Sequence, residues 1–253
     1  MALQEDLDSI FKWTKDWQLP LNLKKCSVLH LGTPNLRREY HLGDVKLKVT
    51  SSERDLGVIV DDKLKFHDHV AAVVKKANRI LAIIKRSFTF LNRNIFRKLY
   101  KALVRPIVEY GNVVWATSFV GDRKKIEGVQ RRATKLVREL RDLPYQERIK
   151  NLNLPSLSFR RKRGDMITLY KMINGLMKTE GIIQIPERRH QTRGHHLRLV
   201  KQHAVKRVRR NHLTIRSLDT WNNLPEQVVT SRNLNLFKRN LDKIWADGQF
   251  GLE

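Results

Sequence analysis

The chain has 253 residues, 51 of them Lys or Arg and 25 Asp or Glu, a formal charge of +26, with 41% hydrophobic and 8% aromatic side chains. That apolar share suffices for the core of one large domain or two small ones, and Cys26, the single cysteine, excludes an intramolecular disulfide, a multi-cysteine zinc site and an iron–sulfur cluster. No run of 18 apolar residues offers a membrane span, and the opening Met-Ala-Leu-Gln-Glu-Asp lacks the basic and apolar stretches of a secretory signal. The expected location is therefore intracellular, with nucleus and cytoplasm both open.

In chain order, residues 3–17 place Leu3, Leu7, Ile10, Phe11 and Trp17 at helical spacing, and Pro20 stops that helix. The run Cys26 to Leu31 followed by Gly32 reads as a strand and a turn, with Cys26 expected as a small buried hydrophobe. Val45, Leu47 and Val49 alternate with Lys46 and Lys48, the pattern of a half-buried strand, and Leu56 to Val60 reads as another before the turn at Asp61-Asp62-Lys63. The period then changes. Val70, Val73, Val74, Ala77, Ile80, Leu81 and Ile84 follow 3.6-residue spacing, and burying seven such side chains supplies about 10–20 kcal/mol gross. Residues 92–104 repeat the pattern, with Pro106 expected to kink or end the segment. Asp122 reads as the N-cap of a helix carrying Ile126, Val129, Ala133, Leu136, Val137 and Leu140 on one face. A further helix spans about 156–177. Residues 186–216 hold ten Lys or Arg, five of the nine His and one acid, Glu187, and read as a basic, partly extended linker with one weak hairpin. Ser231 then caps a last helix carrying Leu234, Phe237, Leu241, Ile244 and Trp245.

The charge is unevenly spread. Residues 1–62 carry 9 basic and 10 acidic side chains, whereas residues 63–253 carry 42 and 15. A cationic field of that size repels itself unless a polyanion neutralises it, and nucleic acid is the expected polyanion. On the helix beginning near Asp122, Arg123, Lys124, Arg131, Arg132, Lys135, Arg138 and Arg141 fall largely away from the apolar face, a stripe able to neutralise a row of phosphates. Arg160-Arg161-Lys162-Arg163 and Lys206-Arg207-Val208-Arg209-Arg210 are denser, and each fits a nucleic-acid patch or a nuclear import signal.

Two constellations favour bland readings. Asp61-Asp62 resembles a metal-holding pair, but a two-metal site needs a third acid from another strand, and the candidates Asp44 and Asp55 come from short segments. A polar turn is the better reading. His190, His195, His196, His203 and His212 have irregular gaps that do not suit zinc. No metal site and no catalytic group are assigned.

Longer strings carry a family likeness. They include Leu3-Gln4-Glu5-Asp6-Leu7-Asp8 with Trp13 and Trp17, Leu21-Asn22 with Lys25-Cys26, and Arg54-Asp55-Leu56-Gly57-Val58 with Leu64-Lys65-Phe66 and His69. Further along come Leu103-Val104-Arg105-Pro106 with Glu109-Tyr110, Val129-Gln130-Arg131-Arg132-Ala133-Thr134-Lys135, Arg163-Gly164-Asp165, Thr192-Arg193-Gly194-His195 and Trp221-Asn222 with Leu224-Pro225. With these strings the chain resembles the C-terminal part of the reverse transcriptase of LINE-type (non-long-terminal-repeat, jockey-like) retrotransposons.

The resemblance implies an α+β fold: a small antiparallel palm remnant over residues 1–62, a mainly helical thumb-like bundle and a basic C-terminal region. It divides the chain into a palm remnant with a primer-grip-like hairpin (1–65), a nucleic-acid-binding helical bundle (66–180) and a basic linker with a C-terminal helix (181–253). Leu56, Gly57 and Val58 correspond to the primer grip, and Lys25 lies near the incoming nucleotide. Lys25, Arg123, Lys124, Arg131, Arg132, Lys135, Arg138, Arg160, Arg161 and Arg163 are the expected nucleic-acid contacts. The family's aromatic-x-Asp-Asp box is expected upstream of residue 1, because Ile59 stands two places before Asp61 where an aromatic is required. The chain then carries no cofactor of its own, Mg2+ being expected only for the complete enzyme. Its partners are RNA, DNA or both, and the palm and fingers of the same element, with no membrane. Three functional readings stay open: a template–primer-holding module, one piece of an active RNA-directed DNA polymerase, and the product of a decayed element.

Overall fold

The computed structural model describes residues 2–32, 35–178 and 194–248. The chain divides into two compact units, residues 1–69 and 70–253.

The first unit opens with α1 (Ala2–Asp16). Its predicted apolar face splits: Leu7 and Phe11 are half-buried and Thr14 is buried, while Leu3, Ile10 and Trp17 are at least half exposed. Strand β1 (Ser27–Leu29) follows a single 3-10 turn at Leu23–Lys25. Then come β2 (His41–Leu42), β3 (Val45–Lys46), β4 (Lys48–Thr50), β5 (Ser52–Asp55) and β6 (Val58–Asp61). They form three two-stranded pairs. β2–β3 and β5–β6 are antiparallel as expected, whereas β1 and β4 pair in parallel. The alternating stretch 45–49 breaks at Leu47, which alone of its three apolar residues is buried, and its N–H is taken by the Tyr40 carbonyl at 2.8 Å. The Gln4 side chain both accepts from the His41 N–H and donates to the His41 carbonyl, each at 3.0 Å, so its amide completes β2 as a strand partner would. Gly43 has φ +58, and a Cβ there would lie 2.5 Å from the Phe11 ring, so only glycine lets the hairpin approach α1 this closely. Cys26 precedes β1 and is half-buried, not enclosed as expected.

The second unit is helical. α2 (His67–Ser87), which begins in the first unit, buries Val70, Val73, Ala77, Leu81 and Ile84, as its period predicts. α3 (Arg93–Leu99) is capped by Asn92, whose side chain accepts from the Ile95 N–H. At Pro106 the helix does not end. A π-helical turn over Tyr100–Val104 absorbs the missing proline donor, the Arg105 N–H reaching back to the Tyr100 carbonyl, and α4 (Arg105–Glu109) continues. Next come α5 (Asn112–Trp115) and α6 (Val120–Thr134). α6 starts two residues before the expected cap, so Asp122 lies buried in the first turn, where its charge suits the positive helix end and its carboxylate meets Lys125 at 3.2 Å. α7 (Tyr145–Asn151) leads to α8 (Leu157–Ile173), capped by Ser156 through the Phe159 N–H.

From His195 on, the structure departs from the linker reading. α9 (Arg207–Arg210) and α10 (Leu213–Arg216) stand where an extended hairpin was expected, and α11 (Leu218–Asn222), α12 (Glu226–Val229) and α13 (Leu234–Ile244) follow. Leu199, Leu213, Leu218, Trp221, Leu224, Phe237 and Leu241 share one core with Met166, Leu169 and Tyr170 of α8. Tyr170 stacks on Phe237 with ring centroids 4.3 Å apart and donates its hydroxyl to the Ser231 carbonyl at 2.6 Å. Asn233, not Ser231, caps α13, accepting from the Leu236 N–H; Ser231 is buried and donates to the Val228 carbonyl instead. The expected boundary near residue 180 lies outside the described residues, as does His190.

Candidate nucleic-acid interface

A buried polar network joins α6 to the start of α8. Glu127 is enclosed in α6 and accepts the Tyr145 hydroxyl at 2.5 Å and the Leu157 N–H at 3.1 Å. Gln130 accepts from the Tyr100 hydroxyl at 2.7 Å and donates to the Pro155 carbonyl at 3.1 Å. Burial, and then the charge of Glu127, push the Tyr145 phenol far above its ordinary range, so it stays a donor. This seats the start of α8 beside the middle of α6, at Glu127 and Gln130, and the following turns of α8 run on past the first turn of α6.

At that first turn lies a cleft of about 560 Å3 walled by α6, α8, α9 and α10. From α6 and the residue before it come Phe119, Val120 and Arg123; from α8 come Ser158, Arg161, Lys162 and Asp165; from the last two helices come Arg207, Arg210 and Arg216. A second hollow of about 400 Å3 shares Val120, Arg123, Ser158 and Arg161 with the first and adds Lys124 and Arg131. The two form one continuous groove lined by eight cations and two acids, Asp165 and Glu127. Both acids are engaged. Asp165 is nearly buried and holds the Arg216 guanidinium through two bonds of 2.7 and 2.9 Å, and Glu127 is spent on the network above. Arg216 also donates to the Asn211 and Val113 carbonyls at 2.7 and 3.0 Å, so it works as a strut under the cleft floor. Arg207 lies over the Phe119 ring, 4.8 Å from its centroid.

Helical geometry sorts the dense basic run of α8. Ser158, Arg161, Lys162 and Asp165 follow i, i+3, i+4, i+7 spacing and share the cleft face. Arg160 and Arg163 fall on a neighbouring face and are tied into ion pairs, Arg160 with Glu109 of α4 and Arg163 with Asp242 of α13, the latter also bonded at 2.8 Å. Of the ten expected contacts, the groove gathers Arg123, Lys124, Arg131 and Arg161. Arg132 is exposed and bonds Asn78 at 3.2 Å, and Lys135 and Arg138 are exposed beyond the groove. Lys25 lies exposed in the first unit, on the 3-10 turn. Leu56 and Gly57 are the two loop residues of the β5–β6 hairpin, with φ of +43 and +87, and Leu56 is 85% exposed at the tip, while Val58 is buried where β6 begins. The paired positive φ values match the tight turn that favours hairpin twist. Phe119 and Arg216 were not expected at the site. Arg207 and Arg210 were visible only as part of a basic string.

The Asp61 pair does not hold a metal-ready geometry. Its carboxylate accepts the N–H groups of Lys63, Lys65 and Phe66 at 2.6 to 3.1 Å, a turn-capping role. Among the described residues no three His, Cys, Asp or Glu side chains gather as metal ligands, and no helix is long and apolar enough to cross a membrane.

No family model and no solved structure matches the chain. It is 29% identical over 155 residues to a probable RNA-directed DNA polymerase from transposon BS of Drosophila melanogaster, 58% of this chain and 17% of that protein. It is 24% identical over 135 residues to a probable RNA-directed DNA polymerase from transposon X-element of Drosophila melanogaster, 50% of this chain and 14% of that protein. An uncharacterized protein of Caenorhabditis elegans is 33% identical over 70 residues, 28% of this chain and 35% of that protein. Over half its length the chain is thus similar to transposon RNA-directed DNA polymerases, of which it spans less than a fifth.

Proposed function

We propose that the chain binds nucleic acid through the groove of its second unit, as the C-terminal, thumb-like part of a LINE-type, jockey-like retrotransposon reverse transcriptase. The observation that carries this reading is the convergence of cations from three separate stretches of chain on one concavity whose acids are already engaged. Arg216 is held by Asp165, and Arg123, Lys124, Arg131, Arg161, Lys162, Arg207 and Arg210 line the walls around it. Such side chains grip phosphates and position a polynucleotide without reading its sequence. The likeness to transposon polymerases supports the same class of partner. In the cell the partners would be RNA or DNA and the palm and fingers of the same element. A complete polymerase would need a catalytic magnesium; Asp61, the tempting ligand in this chain, turns its carboxylate to the backbone N–H groups of Lys63, Lys65 and Phe66.

Fluorescence anisotropy with labelled RNA and DNA tests the reading. Neutralising about six phosphates should cost about a thousandfold in duplex affinity between roughly 50 and 200 mM salt. Binding that ignores salt, or no binding at low salt, contradicts it.

A further inference from the structure

We infer that the larger cleft takes an unpaired base of a single strand, so that the groove prefers single-stranded nucleic acid to duplex. The inference rests on the nucleic-acid reading and narrows its ligand. Two features of the cleft point this way. The first is shape: a concavity of about 560 Å3 is of the size that encloses one small ligand, about 300–1,000 Å3. A duplex keeps its bases stacked inside and offers only its rim of phosphates to such a hollow. A single strand can turn one base into it and leave the flanking phosphates on the cationic walls.

The second feature is composition. Phe119 lines the cleft beside the exposed Val120, with the planar guanidinium of Arg207 over its ring. Aromatic rings and arginine planes are the two surfaces on which unpaired bases stack. Phe119 stands immediately before the first turn of α6. Gly121, in that first turn, faces open space: a Cβ added there meets nothing within 4 Å. Stacking accepts any base, so the preference is for strandedness and not for sequence.

The test compares three labelled probes of equal length with the full chain at one salt concentration: a single-stranded oligonucleotide, its duplex, and an abasic strand with the same phosphates. The single strand binds tightest. Phe119→Ala weakens it by about 5- to 150-fold, the range for losing one stacked base, a larger factor than duplex or abasic binding loses; Phe119→Trp retains it. A 2-aminopurine base in the single strand is quenched by the wild-type protein and not by Phe119→Ala. Tryptophan emission from the buried Trp115 and Trp221 verifies folding; should Phe119→Ala fail to fold, the abasic comparison and the 2-aminopurine signal on wild type decide. Equal binding of all three probes with no quenching overturns the inference and leaves the phosphate groove standing. Failure of every probe to bind at low salt overturns both.

Discussion

Removing the Asp165 carboxylate should unseat the floor of the cleft. Asp165 and Arg216 are 9% and 15% exposed, so Asp165→Ala strands a guanidinium charge in a largely dry site. Breaking one side of a buried pair costs roughly 3–5 kcal/mol. The lower end applies here, because Arg216 keeps its bonds to the Asn211 and Val113 carbonyls and a little solvent. The expected loss is therefore about 3 kcal/mol. With a urea dependence of 2–3 kcal/mol per molar, the unfolding midpoint falls by about 1 M. The assay is urea titration followed by emission of Trp115 and Trp221, both fully buried in the second unit. The pair Asp165→Leu with Arg216→Met removes both charges together, so it should be no less stable than Asp165→Ala alone. A midpoint shift under about 0.3 M for the single variant, or simple addition of the two single losses, refutes the ion-pair strut.

Other outcomes follow from the same structure. Gly43→Ala forces a Cβ against Phe11 at φ +58, and should destabilise the first unit by more than about 1 kcal/mol by thermal or urea unfolding. Asp61→Ala leaves the Lys63, Lys65 and Phe66 N–H groups without their acceptor and should cost about 1–3 kcal/mol, with Mg2+ restoring no stability. Burial pushes His69 and His195 below the ordinary imidazole value of about 6.5. The Nδ1 of His69 accepts the Ile59 N–H, which requires the neutral ring, whereas the Nε2 of His195 donates to the Trp221 carbonyl, a bond that favours the protonated ring and is outweighed by burial. The unfolded chain then takes protons first as pH falls. The stabilisation is complete above pH ~6.5 and drains away below it; melting curves from pH 7.5 to 5 should show this, and His195→Gln should flatten the slope. Primer extension by this chain alone should give no product, and clear synthesis would contradict the assignment of no catalytic residue.

Much of the architecture was legible where one element carries its own complete signal. α2 shows five full apolar repeats, and the structure buries five of its seven marked residues. The stretch from 195 to 229 was not legible, because its apolar residues come in helices of four or five residues, too short for a period to emerge. Their burial is decided by tertiary contact with α8, as at Leu213 and Trp221. The parallel pairing of β1 with β4 joins segments separated by a whole hairpin, which alternation along one strand cannot report. In the candidate site, charge density pointed to helices that line the groove but not to the faces that do so. Arg160 and Arg163 looked equivalent to Arg161 until Glu109 and Asp242 were brought against them from distant parts of the chain. Phe119 was missed because a single aromatic at a helix start carries no pattern. Its meaning comes from Arg207, 88 positions away, lying on its ring.

The groove itself is tested most directly by the salt slope of binding with and without its cations. Arg123→Gln, Lys162→Gln and Arg207→Gln together should lower the slope of log affinity against log salt by roughly 2–3, at 0.7–0.9 per lost phosphate contact. Lys135→Gln with Arg138→Gln, beyond the groove, should leave it unchanged. A triple variant that keeps the wild-type slope, while the distal pair loses it, would place the nucleic acid elsewhere on the molecule.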